Sequence, residues 1–351
     1  LRILVLFGGR SAEHEVSVMS ATNVLRVLDP SRYEVVPVFV GRDGRWLESR
    51  LVDGVPETPS SGTELCPVPG GRGRLLALAP DGVAREVAPI DLLFPVLHGL
   101  HGEDGSVQGL ADVIGVPLVG CGLTGSATAL DKDLAKRLFR EAGIPCARAV
   151  TIHEGAAPAF ATLVETLGSP IFLKPARQGS SVGVARVSDE AGYAAALAEG
   201  FRHDDKLLAE EFVRGREIEC AVLESPEGDL FVSRTGEIVP AASHGFYSYE
   251  AKCLGAEGAV VRVPAELPDG VEATVRTMAA AAFRALGCDG MARADFFVTG
   301  EGRVLVNELN TIPGFTDISM YPKAMAASGV DGAELVDLLV AQALARAGRG
   351  R

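Results

Sequence analysis

A lysine followed by a short glycine-serine loop, Lys174-Pro-Ala-Arg-Gln-Gly179-Ser180-Ser181-Val-Gly183, has the residue types to hold phosphate. Backbone N–H groups and two hydroxyls of such a loop can lie against phosphate oxygens while the ammonium supplies charge. The same residues also suit an ordinary hairpin turn, and the G-x-x-x-x-G-K-[ST] pattern is absent. A second group lies in Arg293-Ala-Asp295-Phe-Phe-Val-Thr-Gly-Glu-Gly-Arg-Val-Leu-Val-Asn-Glu308-Leu-Asn310. If Glu301-Gly302 forms a two-residue hairpin turn, Gly300 faces Arg303 and Asp295 lies across from Glu308, with Asn310 further along the same face. Two carboxylates and an amide oxygen suit Mg²⁺. A slip of one residue would turn Glu308 to the other face, and a solvated polar edge is the plain alternative.

Three further groups have weaker signals. The strand-like run Leu207-Leu-Ala-Glu210-Glu211-Phe212-Val213, with Glu217 beyond, could offer an adenine edge and a ribose acceptor, or be a charged strand end. Gly8-Gly9-Arg10-Ser-Ala-Glu13 turns from a strand into a helix, where ligands bind in open α/β sheets, and Glu13 could hold an ammonium. Asn310-Thr-Ile-Pro-Gly314-Phe-Thr-Asp-Ile-Ser319 combines a Pro-Gly turn, exposed amides and a hydroxyl suited to an oxyanion or carboxylate. His98 and His101 lack a further ligand at zinc spacing and read as a polar loop beside a cleft. Gly120-Cys-Gly122-Leu-Thr-Gly125 matches the dinucleotide fingerprint G-x-G-x-x-G, but no acidic residue ends a following strand about 20 residues on.

These groups need elements to carry them. Residues 2–7, 33–40, 92–97 and 116–120 read as strands, the first followed by a helix over 17–28, which predicts a parallel, doubly wound N-terminal sheet. Residues 41–88, rich in Gly, Pro, Ser and Arg, read as irregular connections. One helix is expected from Ser126 to Gly143. Strands at 171–176, 182–187 and 206–213 with a helix between them, then strand-rich segments and a helical tail from Asp331, predict α+β units. The boundaries drawn are 1–120, 121–210 and 211–351. With 351 residues, 47% hydrophobic and 23% charged, the chain can bury ample core, and its net charge of −13 argues against a broad nucleic-acid or anionic-membrane surface. Six scattered cysteines read as free thiols in a reducing cytoplasm, and no run of about 18 apolar residues suggests a membrane helix.

Taken together, FGGRSAEHEVS, PVLHGLHGEDGSVQG, LDKDLAKRLF, FLKPARQGSSVGV, FYSYEAK, GMARADFF and NELNTIPGFTDISMYP closely resemble the D-alanine–D-alanine ligase family of the ATP-grasp superfamily, over essentially the whole chain. The resemblance implies a three-subdomain ATP-grasp fold and ligation of two D-alanines through an acyl phosphate, with ATP and two Mg²⁺ ions (or Mn²⁺), in a cytoplasmic homodimer making a peptidoglycan precursor. By resemblance Lys132 and Lys174 contact ATP phosphates and residues Gly179 to Gly183, Ser181 included, close over them. Glu210, Glu211, Phe212, Val213, Glu217, Phe246 and Phe297 line the nucleotide site, and Asp295, Glu308 and Asn310 hold the metal. Glu13 orients the first D-alanine's amine, Arg293 and the Gly314 amide stabilise oxyanions, Ser319 receives the second carboxylate, and Lys252 reaches the γ-phosphate.

One departure stands out. The family pattern YEAKY reads YEAKC here, so Cys253 replaces a tyrosine that in the family meets a serine matching Ser180 and bounds the second-substrate site through Glu13. Relaxed choice of the second substrate is the expectation. The alternatives are a ligase using D-lactate or D-serine, a nicotinamide-dependent dehydrogenase, and a nucleotide-binding protein without turnover.

Overall fold

A computed structural model of the chain describes residues 1–240 and 259–349. The unbroken apolar run Arg2–Gly8 becomes β1, buried on both faces as a central parallel strand requires. It leads to α1 (His14–Val27), β2 (Glu34–Val40), the short strands β3 (Trp46–Glu48), β4 (Leu51–Val52), β5 (Val55–Pro56), β6 (Glu64–Pro67), β7 (Leu75–Leu78) and β8 (Ala84–Val87), then β9 (Leu92–Val96) and α2 (Ser106–Ile114). The first sheet runs β8-β7-β6-β3-β2-β1-β9. Only β2, β1 and β9 are mutually parallel; within residues 41–88, expected to be irregular, β3, β6, β7 and β8 extend the sheet as antiparallel strands and β4 and β5 pair as a separate two-stranded ribbon. Residues 116–120 give a single parallel bridge, Leu93 to Leu118, instead of a full strand.

Alternate residues of β1 bury on opposite faces, as the pleat dictates. Ile3, Val5 and Phe7 pack with Val24 and Leu25 of α1, while Leu4 and Leu6 pack with Val107, Ala111 and Ile114 of α2. Ser17 of α1 accepts from Gly8 N (2.8 Å) and donates to the Val96 carbonyl, which ties the helix start to the C-terminal ends of β1 and β9.

The expected helix from Ser126 is two: α3 (Leu123–Leu130) and α4 (Lys132–Glu141). Between them Asp131 is extended, and its carboxylate accepts from the amides of Asp133 and Leu134 as a helix N-cap. Lys132 therefore opens α4. A four-stranded antiparallel sheet follows, β10 (Ala149–His153), β11 (Ile171–Pro175), β12 (Ala185–Val187) and β13 (Lys206–Glu211) in the order β10-β13-β11-β12, with α5 (Phe160–Leu167) and α6 (Glu190–Gly200) on its core. The third sheet, β14 (Gly215–Glu224), β15 (Leu230–Pro240), β16 (Ala259–Arg262), β17 (Met291–Thr299) and β18 (Val304–Asn310), is ordered β16-β15-β14-β17-β18 and packs on α7 (Val271–Ala285). After α8 (Met320–Ala326), α9 (Gly332–Gly348) returns to the first sheet, placing Leu335, Leu339 and Val340 in its core. Among the described residues no helix is long and apolar enough to cross a membrane.

Candidate active site

The hairpin β17–β18 places Asp295 opposite Glu308 and Arg293 opposite Asn310, by a different route from the two-residue turn expected. Thr299 pairs with Arg303 across Gly300-Glu301-Gly302, with Gly302 in the left-handed region at φ 78°. A three-residue loop of that kind shifts the register by one. A bulge restores it: Phe296 pairs with Val306 and Asp295 with Glu308, which leaves Asn307 extra. Neighbours on a regular strand face opposite ways, yet Asn307 and Glu308 both line one cavity, as the bulge allows.

That cavity, about 290 Å³, lies between the second and third sheets. Lys132, Lys174, Gly179, Ser180, Ser181, Glu210, Glu211, Phe212, Val213, Glu217 and Phe297, all expected around nucleotide, line it with Glu308. Phe172 and Phe212 stack loosely at 5.8 Å, giving it an aromatic wall. Lys132 Nζ donates to the Gln178 carbonyl at 2.7 Å and lies 3.5 Å from Glu308. Ser180 and Ser181 both hold positive φ (47° and 61°), a conformation that costs non-glycine residues on the order of 1 kcal/mol each. Gly183 lines neither this cavity nor the next; it packs against Pro175 and His203.

A second cavity, about 320 Å³, opens beside the first and shares Lys132, Gly179, Ser180 and Glu308 with it. Glu13, Arg293, Asn310, Gly314 and Ser319 line it. Ser180 Oγ donates to Glu13, so the glycine-serine loop of the second sheet touches the first sheet's ligand edge. Arg293 Nε and Nη2 each donate to an Asp295 oxygen at 2.7 Å, and Glu219 lies 3.1 Å from Nε. Burial alone would lower the Arg293 pKa, but the charges of Asp295 and Glu219 raise it well above its ordinary value, so the guanidinium is a fixed cation. Ser319 Oγ accepts from the Thr316 amide at 3.0 Å and sits 2.7 Å from where a Cβ on residue 314 would be, so only glycine leaves that approach open.

Spacing did not single out Glu103 as part of the site. It is 7% exposed and accepts from Gly99 N (2.8 Å) and Ile312 N (3.0 Å). His98 Nδ1 donates to the Ile312 carbonyl at 2.8 Å, which leaves Nε2 to accept from Ser20. Both polar groups of Ile312 are thus held by one loop, fixing the turn that carries Gly314. Burial pushes Glu103 up to about 7, helped by the Glu13 charge; burial also pushes His98 below its ordinary value. His101 is an exposed turn residue at φ 66°.

For a metal, Glu308 and Asn310 line the second cavity, while Asp295, opposite Glu308, lines neither cavity and its oxygens accept from Arg293 and from Asn310 Nδ2 at 3.1 Å; the three together supply two carboxylates and an amide oxygen. This donor set fits Mg²⁺. The dinucleotide alternative fails on position: the G-x-G-x-x-G run follows only the single bridge at Leu118 and opens α3, whereas the first β–α turn, where that fingerprint belongs, is Gly8-Gly9-Arg10. Phe246, Lys252 and Cys253 lie outside the described residues.

Residues 2–121 match the family described as "D-ala D-ala ligase N-terminus" and residues 138–341 that described as "D-ala D-ala ligase C-terminus". The chain is 63% identical over 346 residues to the D-alanine–D-alanine ligase A of Brucella suis, covering 99% of this chain and 98% of that one. The D-alanine–D-alanine ligase structure from Coxiella burnetii superposes with a TM-score of 0.86 at 35% identity, over 100% of this chain and 95% of that one. The VanG D-Ala:D-Ser ligase of Enterococcus faecalis does so with 0.84 at 32%, over 97% and 99%.

Proposed function

The chain belongs to the D-alanine–D-alanine ligase family, and from that premise we propose how its two joined cavities divide the reaction. It is an ATP-grasp enzyme that joins two D-alanines at the expense of ATP, with a divalent cation, in cell-wall synthesis. The larger cavity takes the amino acids and the smaller the nucleotide. The observation that carries this division is their shared wall of Lys132, Gly179, Ser180 and Glu308, where a terminal phosphate can meet a carboxylate.

A carboxylate is a poor acyl donor because oxide leaves badly. One oxygen of the first D-alanine therefore takes the γ-phosphoryl group, releasing ADP. The amine of the second D-alanine attacks the resulting acyl phosphate, and phosphate departs from the tetrahedral carbon. Lys132 and Lys174 hold phosphate charge, and Glu13 accepts the first ammonium. Arg293 and the Gly314 amide face the developing oxyanion, and Ser319 holds the second carboxylate. Lys252 adds charge at the γ-phosphate. Asp295, Glu308 and Asn310 would hold the metal, two ions with Mn²⁺ able to replace Mg²⁺; when bound it neutralises phosphoryl oxygens. The subdomain limits 1–120, 121–210 and 211–351 follow the three larger sheets, with the last limit falling one residue inside β13. The working state is a cytoplasmic homodimer that needs no nucleic acid.

Incubation with D-alanine and ATP should yield ADP, phosphate and D-alanyl-D-alanine in equal amounts. D-Lactate or L-alanine alone, with no D-alanine present, should give little product. Phosphate release without dipeptide would refute the assignment.

A further inference from the structure

Lys136 stands one turn beyond Lys132 on α4, but its side chain turns inward and is 1% exposed. Its Nζ lies 3.2 Å from Glu210 Oε1 and donates to the Ala147 carbonyl at 3.3 Å. The other Glu210 oxygen lies 2.6 Å from Lys174 Nζ. One buried carboxylate therefore serves two ammoniums, of which only Lys174 lines the nucleotide cavity. Burying a lysine is costly, and an apolar side chain of similar volume would stabilise the fold as well or better, so packing alone does not account for it. At 3.2 Å and out of solvent, the ammonium and the carboxylate interact strongly as charges.

The charge count explains the arrangement. Alone with Glu210, Lys174 would form a neutral pair, and an arriving polyphosphate would feel ammonium and carboxylate nearly cancel. With Lys136 behind it, the trio of two ammoniums and one carboxylate carries a net +1. We infer that Lys136 is a positioning residue that offsets the charge of Glu210, so that Lys174 presents its positive charge to the nucleotide phosphates. The inference rests on the assignment of this cavity to nucleotide. Burial opposes ionisation of Glu210, yet the charges of Lys136 and Lys174 hold its pKa below the ordinary value, so it stands between them as a carboxylate.

The test is the ratio of ATP to adenosine affinity, measured by calorimetry in the intact enzyme, for the native protein, Lys136→Met, Glu210→Gln and the double variant. These leave the trio at net +1, 0, +2 and +1. Lys136→Met should lower the ratio about tenfold, the scale of one unit charge acting near the phosphates at an effective dielectric of about 20. The double variant should return the ratio to within about threefold of native, because the net charge returns. A purely structural lysine would weaken ATP and adenosine alike, leaving the ratio unchanged, and the second substitution would add damage. Either result overturns the inference. If Lys136→Met does not fold, Glu210→Gln alone decides: its ratio should equal or exceed native, and a lower ratio refutes the charge account. Native protein that binds neither ATP nor adenosine would instead refute the nucleotide assignment.

Discussion

Replacing Glu103 by glutamine is expected to remove a pH dependence of folding that the native protein carries. Glu103 is buried between two amides, and burial together with the nearby Glu13 charge raises its pKa from 4.5 to about 7. Between these values the folded protein keeps a proton that the unfolded chain has released. Stability must therefore fall as pH rises through this window and level off above it. At about 1.4 kcal/mol per unit, the loss between about pH 5 and about pH 8 is roughly 2–3 kcal/mol. Glutamine cannot titrate, and its amide accepts only one of the two N–H groups well, which adds a constant cost but no slope. Urea unfolding at both pH values gives the comparison. The stability difference, native minus variant, should be larger at low pH by that amount, because other titrating groups cancel. Parallel curves would refute the raised pKa and with it the picture of Glu103 as a dry clasp between the first sheet and the Ile312 turn.

Glu308→Gln should cut kcat by about 100-fold or more with the melting temperature little changed, since a hard ligand is lost at a partly buried position that keeps a polar side chain of the same size; near-native turnover at saturating Mg²⁺ would remove Glu308 from the metal set. Lys174→Ala should raise the KM for ATP about tenfold or more and leave that for D-alanine within about twofold, while Lys136 still pairs Glu210 and preserves the fold. Glu13→Gln should show the reverse bias in steady-state kinetics, and an effect confined to ATP would contradict its placement at the ammonium.

The local pattern of the chain carried much of this site, because phosphate, metal and substrate groups sit at strand ends and turns whose residue types are diagnostic. The opposition of Asp295 and Glu308 was legible only in outcome. The expected turn was one residue short, and the bulge at Asn307 compensates; nothing in the local spacing marks a bulge, since it depends on how β18 must meet β17. The break at Asp131 had a visible signal, an aspartate able to cap α4, but the helical pattern runs across it. Residues 41–88 hid their strands because short antiparallel edges tolerate glycine and charge. Lys136 and Glu103 were invisible for a common reason. Their roles depend on burial and on partners far away in sequence, Glu210 for one and Ile312 for the other, which helix or loop periodicity cannot supply.

The most direct test of the central claim follows the carboxylate oxygens of D-alanine. Ligation of D-alanine carrying ¹⁸O in both carboxylate oxygens should transfer one label to inorganic phosphate for each dipeptide formed, because the acyl–oxygen bond breaks when the second amine attacks. Label retained wholly in the dipeptide, or carried into AMP instead of phosphate, would contradict an acyl phosphate route in these cavities.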